Sequence, residues 1–182
     1  LNVVLSIQPR EAGGVAGRTP EEIVLDIAKE QAERLPKPLS EEHAHPSSFE
    51  IVEETGLMIS LGTCLQQELV LFNTLLARMA STLVELQKAI KGLIVMTSEL
   101  DAMFNSTMNN QVPDIWTKGG TGYPSLKPLG SWFEDMILRV EFFRKWIEHG
   151  VPNSYWISAF YFPQGFLTSV LQGYSRSNKI PV

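Results

Sequence analysis

The sequence predicts a mainly α fold, an irregular helical bundle interrupted by a Pro/Gly-rich crossover. Three observations lead there. Apolar residues from Leu65 to Ile90 recur at alternating spacings of four and three, the stretches at Thr19 and Ser131 carry helix-start signatures, and residues 109–130 gather prolines and glycines around Trp116 and Tyr123. A chain of 182 residues that is 44% hydrophobic is long and apolar enough to bury a core.

The first helix opens at Thr19-Pro20-Glu21-Glu22. Thr19 can cap, Pro20 fits the first helical position, and Glu22 completes a capping box. Ile23, Val24, Ile27 and Ala28 form its apolar face, Glu30 and Arg34 lie one turn apart, and Pro36 ends it. Residues 11–18, with three glycines, read as a flexible loop, and residues 36–48, with three prolines and two histidines, as a linker.

The second helix carries the heptad seam Leu65, Leu69, Phe72, Leu76, Met79, Leu83, Leu86 and Ile90. Left in water, such a seam would forgo about 1.5 to 3 kcal/mol per large apolar side chain, so it demands partners. Val70, Leu71, Leu75 and Val84 widen the stripe, which predicts packing against several elements, and the helix is expected to begin near Leu57. Gly92 is a break or kink, after which Ile94, Val95, Leu100, Met103 and Phe104 predict a third helix to about Met108.

Residues 109–130 read as an ordered crossover pinned by aromatic anchors. Ser131 to Glu134 spells a second capping box, opening a helix that closes with His149, Gly150 and Pro152. Its core face is Trp132, Phe133, Met136, Ile137, Val140, Phe143 and Ile147, with the pairs Asp135–Arg139 and Glu141–Lys145 on the wet side. Residues 155–162 read as a short buried strand or as a tight approach to a last helix from about Pro163 to Tyr174, with Phe166, Val170 and Leu171 inward. The segments are thus 1–48 (N-terminal helix and linker), 49–108 (long helices), 109–130 (crossover) and 131–182 (C-terminal helices).

Composition narrows the function. Fifteen basic residues against twenty acidic ones, net −5 and without runs of like charge, argue against a nucleic-acid binder. The single Cys64 excludes an internal disulfide. Gln66, Glu68, Asn73 and Arg78 interrupt the longest apolar stretch, so no membrane span is expected. With Leu rather than Met first and no signal segment, the sequence reads as a cytosolic fragment.

No constellation supplies catalysis, a cofactor or a metal. The clusters Gly13-Gly14 with Gly17 and Gly119-Gly120 with Gly122 lack the Gly-Lys-Ser/Thr of a phosphate loop and read as turns. His43 and His45, beside Glu41 and Glu42, lack a second properly spaced ligand pair and read as solvated loop. His149 suits a helix C-terminus, and Cys64 an inert seam position. Glu134 and Asp135 project about 100 degrees apart on a helix and cannot converge on one atom; Glu53 and Glu54 are the other acidic pair. The aromatic residues read first as core and second as docking side chains. The contact candidates are Trp116, Tyr123, Pro124, Leu126, Trp156, Phe160, Phe162 and Phe166.

The ordered motifs Lys91-Gly92-Leu93, Val95 to Leu100, Val112-Pro113 with Trp116, Tyr123 to Leu129, Trp132 with Asp135, Gly150 to Ser158, Phe160 to Thr168, and Ile180-Pro181 carry more than core. With SIQPREAGG at 6–14 they resemble the C-terminal region of dynein heavy chains, axonemal ones above all, over nearly the whole sequence. The insertion Gly119 to Gly122 and the wording of residues 46–62 depart from that pattern.

The resemblance implies the helical half of a domain whose β-barrel half is absent here. It also implies a parent microtubule motor, with ATP and Mg bound elsewhere in an AAA+ ring and microtubules reached only through that parent. The implied partners are ring modules and the barrel of the same heavy chain, with no nucleic acid and no membrane. The implied location is the cytoplasm and cytoskeleton, in the axoneme of a cilium or flagellum. An independent helical adaptor unrelated to a motor is the alternative, and would have the same seam without reason to carry the motif series.

Overall fold

The structure, a computed structural model, describes residues 17–123 and 125–181; the glycines at 13 and 14, the motif at 6–14 and Pro124 lie outside it. In order along the sequence the elements are α1 (Pro20–Arg34), β1 (Ile51–Val52), β2 (Leu57–Met58), α2 (Ser60–Ile90), α3 (Ser98–Met108), α4 (Asp114–Thr117), α5 (Leu129–His149) and α6 (Pro163–Asn178). The protein forms two compact units, one of residues 1–35 and 75–135 and the other of 36–74 and 136–182. The long helices α2 and α5 therefore each contribute to both units, which cut across the segments read along the sequence.

In the first unit the Thr19 hydroxyl accepts the Glu22 N–H at 3.3 Å and the Glu22 carboxylate accepts the Thr19 N–H at 3.0 Å, completing the capping box. Thr19→Ala should cost about 1 kcal/mol and speed amide exchange across α1; hydrogen exchange that is unchanged there would contradict this. Val24, Ala28 and Gln31 turn inward, Gln87 of α2 donates to the Ala28 carbonyl at 3.2 Å, and α1 packs on α3. Arg34 pairs with Glu30 at 3.1 Å, as its spacing predicts, and with Glu134, and its guanidinium lies 5.8 Å over the Phe133 ring.

The seam of α2 is buried from Leu65 to Leu86, with Ile90 half-buried, while Val70 and Val84 face outward. The helix starts at Ser60 rather than near Leu57, because residues 51–58 form a hairpin pairing Ile51 with Met58 and Val52 with Leu57. Glu53 and Glu54 sit exposed in its turn. By length and composition α2 could cross a membrane, contrary to the expectation from its interrupting polar residues; a core helix satisfies the same test, and the seam from Leu65 to Leu86 is core.

The helix stops at Ile90 and does not resume until Thr97 caps α3, so Ile94 and Val95 lie in a linker rather than on a helix face. Gly92 takes φ +71°, a left-handed conformation that side chains with a Cβ resist.

The crossover holds the short α4, which inserts Trp116. Helix α5 begins at Leu129, three residues earlier than a Ser131 cap would place it; the Pro128 carbonyl accepts the Trp132 N–H at 2.8 Å, and Glu134 serves Arg34 instead. Asp135 is buried rather than wet, held by the Lys127 ammonium at 2.6 Å.

In the second unit the last carbonyls of α5 are covered by residues 45–48. The Ser48 hydroxyl donates to Trp146 O at 2.8 Å and Ile147 O at 3.2 Å, and His45 N–H donates to Ile147 O at 2.8 Å. Residues 155–162 are the tight approach, with a 3-10 turn at Ile157–Ala159 and not a strand. Rings then interlock: Phe72 with Phe143 and Phe143 with Phe160, each at 5.2 Å, Phe160 with Phe166 at 4.4 Å, and Tyr155 with Phe166 at 4.7 Å. Helix α6 runs to Asn178 and buries Phe166 and Ser169, while Val170 and Leu171 face outward, opposite to the expectation.

Candidate functional site

Burial sorts the contact candidates. Trp116, Tyr123, Phe160 and Phe166 are interior, each at 3% exposure or less, so within this fold they are packed as core. Their reason is local packing: Trp116 and Tyr123 both stack on Trp132, and Phe160 and Phe166 on each other. Trp156 is half-buried beneath the Arg139 guanidinium, 5.5 Å from its ring. Leu126, at 80%, and Phe162, at 59%, face outward.

Other apolar residues join them at the surface. The linker after α2 exposes Leu93, Ile94, Val95 and Met96 in succession, Val95 at 84%. Along α6 the residues Leu167, Val170, Leu171 and Tyr174, at the i, i+3, i+4, i+7 spacing of one helical stripe, are all outward, with Phe162 just before the helix. Scattered exposed apolar residues need no explanation, whereas contiguous runs mark contact surfaces. The linker sits in the motif Lys91 to Leu100, but a helical reading of that segment concealed its exposure.

A buried carboxylate holds the residues that lead into α6. Glu68, 1% exposed on α2, accepts the backbone N–H of Tyr161 at 2.9 Å and of Phe162 at 3.2 Å through its two oxygens. Phe162 is the N-cap of α6 and offers no side-chain cap, and Pro163 has no N–H. Glu68 thus ties to α2 the two residues that lead into α6, leaving the first-turn amides of the helix itself without a side-chain cap. Burial holds its carboxyl above the ordinary glutamate range, while the two amides and the Arg139 charge pull the other way. Sequence reasoning noticed Glu68 only as an interruption; the available signal was a lone acid flanked by Leu65, Leu69 and Phe72 in an apolar stripe.

Cys64 is buried, and desolvation first, then the Glu68 charge, push its thiol up to about 11, which leaves little thiolate near neutrality. The Tyr161 hydroxyl is likewise raised by burial and by Glu68. His45 caps the 3-10 turn at Pro46–Ser48, and the His149 ring lies 3.2 Å from the Lys145 carbonyl. A cleft of about 180 Å³ beside His43, Glu42 and Arg144 is smaller than the roughly 300 Å³ at which ligand pockets begin.

Fold and surface together define a mainly helical domain whose apolar side chains are not all spent on its own cores. The protein belongs to the family of C-terminal domains of dynein heavy chains, whose family model matches residues 1–182. It is 44% identical over its full length to human dynein axonemal heavy chain 6, and 40% identical over 98% of its length to rat dynein axonemal heavy chain 1. It is 38% identical over its full length to the Chlamydomonas reinhardtii dynein-1-beta heavy chain of the flagellar inner arm I1 complex. The sequence spans about 4% of the length of each of these relatives. Axonemal kinship points to the cytoskeleton of a cilium or flagellum, and the full-length match sets aside an adaptor unrelated to motors.

Proposed function

We propose that this protein is a noncatalytic, structural and regulatory part of the C-terminal domain of a dynein heavy chain, and that it acts by contact. Its partners are modules of the AAA+ ring and the β-barrel of the same heavy chain. ATP and Mg act in the ring, and microtubules are engaged by the parent motor elsewhere, so the segment itself needs no cofactor. The observation that carries this reading is the pair of contiguous exposed apolar runs, Leu93 to Met96 and the α6 stripe, on a protein with well-filled aromatic cores.

A contact domain biases a motor only as far as it binds one ring state better than another. Charged substitutions at outward positions therefore test the reading without touching the core. Val95→Asp or Leu171→Asp in the heavy chain should change the ratio of microtubule gliding speed to ATPase rate, with the domain's melting unaltered. Wild-type gliding and ATPase in both variants would defeat the proposal.

A further inference from the structure

We infer that Glu68 is a positioning residue, a charge-dependent clamp from α2 that fixes the start of α6 and so the direction in which Phe162 and the α6 stripe point. The functional consequence rests on the contact reading above; the clamp itself rests on geometry. Two consecutive amides, 93 and 94 residues away in sequence, converge on the two oxygens of one buried carboxylate. An ionised carboxylate accepts both bonds at full strength, whereas protonation places the hydrogen on one of the two oxygens and leaves it the weaker acceptor. Protonation therefore loosens one jaw of the clamp, next to a ring cluster of Phe143, Phe160 and Phe166 that carries no titratable group.

The charged and titratable groups around the carboxyl are Arg139 of α5, the Tyr161 hydroxyl of the approach turn, and Cys64 of α2. Arg139 donates to the Ser158 carbonyl at 2.5 Å, which ties the same turn to α5. Of the three, Arg139 favours the ionised carboxylate, and Cys64 and Tyr161 are neutral across the range in which a carboxyl titrates. Because the folded-state pKa is raised, the protonated carboxyl is the form that folding favours. This group's stabilising contribution is full below the unfolded value and is lost as pH rises through the folded value. The stability of wild type relative to Glu68→Gln should accordingly decline with rising pH, even as the local clamp tightens.

The test follows the amide signals of Tyr161 and Phe162 by NMR across pH, with protection factors corrected for intrinsic exchange. The expected result is one shared midpoint for both amides, above the ordinary glutamate range, with protection falling at least tenfold on protonation. Glu68→Gln should abolish the shared titration, and Arg139→Gln should raise the midpoint. Amides that titrate separately, or that keep equal protection at both ends of the wild-type titration, overturn the clamp whether or not either variant folds. Leu171→Asp should leave this titration intact; if it also leaves the motor's coupling unchanged, the contact reading fails and the clamp stands.

Discussion

Trp116→Ala is expected to cost the fold about 3 to 5 kcal/mol, the range for removing a fully buried tryptophan side chain. Trp116 has no exposed surface, stacks on Trp132 at 5.9 Å, and donates its indole N–H to the Thr82 hydroxyl at 2.9 Å. Tyr123 stacks on Trp132 at 5.4 Å, so the alanine variant strips one ring from a stack of three. The turn is fitted just as closely. A Cβ at Gly122 would lie 2.5 Å from the Trp116 carbonyl oxygen, which is backbone and cannot yield without moving α4.

Thr82→Val isolates the polar component, since the indole N–H then loses its acceptor in a dry site, at about 1 to 3 kcal/mol. Urea unfolding followed by tryptophan fluorescence measures both variants. A Trp116→Ala variant that unfolds at the wild-type midpoint, while motor coupling changes, would show that Trp116 is a contact residue after all.

Gly150→Ala is the second large effect, at about 2 to 5 kcal/mol when left-handed strain and overpacking are combined. Gly150 takes φ +90°, and a Cβ there would stand 2.6 Å from the Ser47 hydroxyl and 2.7 Å from His45 Nδ1. Those two groups are not free to retreat, because Ser47 N–H donates to His45 Nδ1 at 3.2 Å and the same turn delivers Ser48 to the end of α5. The substitution therefore either strains the backbone or uncaps the helix. Thermal unfolding of Gly150→Ala, alone and combined with Ser47→Ala, measures the two components: partial recovery in the double variant is expected, and a loss below about 1 kcal/mol in the single one would rule out the strain argument.

What the sequence made legible was local. Thr19 and Glu22 are three residues apart and decide their own cap; the seam from Leu65 to Leu86 and the stop at Gly150 need only helical geometry to be seen. The misreadings arose where a distant partner decided. Ser131 and Glu134 spell a capping box, yet Pro128 already supplies the first carbonyl and Glu134 pairs with an arginine a hundred positions away. Strands of two residues are too short to leave an alternating pattern, so the hairpin at 51–58 was invisible.

On α6 both faces are apolar, and nothing in the spacing states that Phe166 goes in while Leu171 stays out. The same limit governed the contact candidates. Aromatic density identified important residues, but the structure spends Trp116, Tyr123, Phe160 and Phe166 on interior stacking and leaves aliphatic residues such as Val95 and Leu171 outside.

The seal on the end of α5 has a kinetic consequence. Ser48 and its acceptors Trp146 and Ile147 are 98 and 99 residues apart, so in a refolding polypeptide that closure spans a very long loop and comes late. During synthesis the same order holds: residues 45–48 are made long before Trp146 and Ile147, so the end of α5 stays open until its own last turn has formed and the two stretches have met.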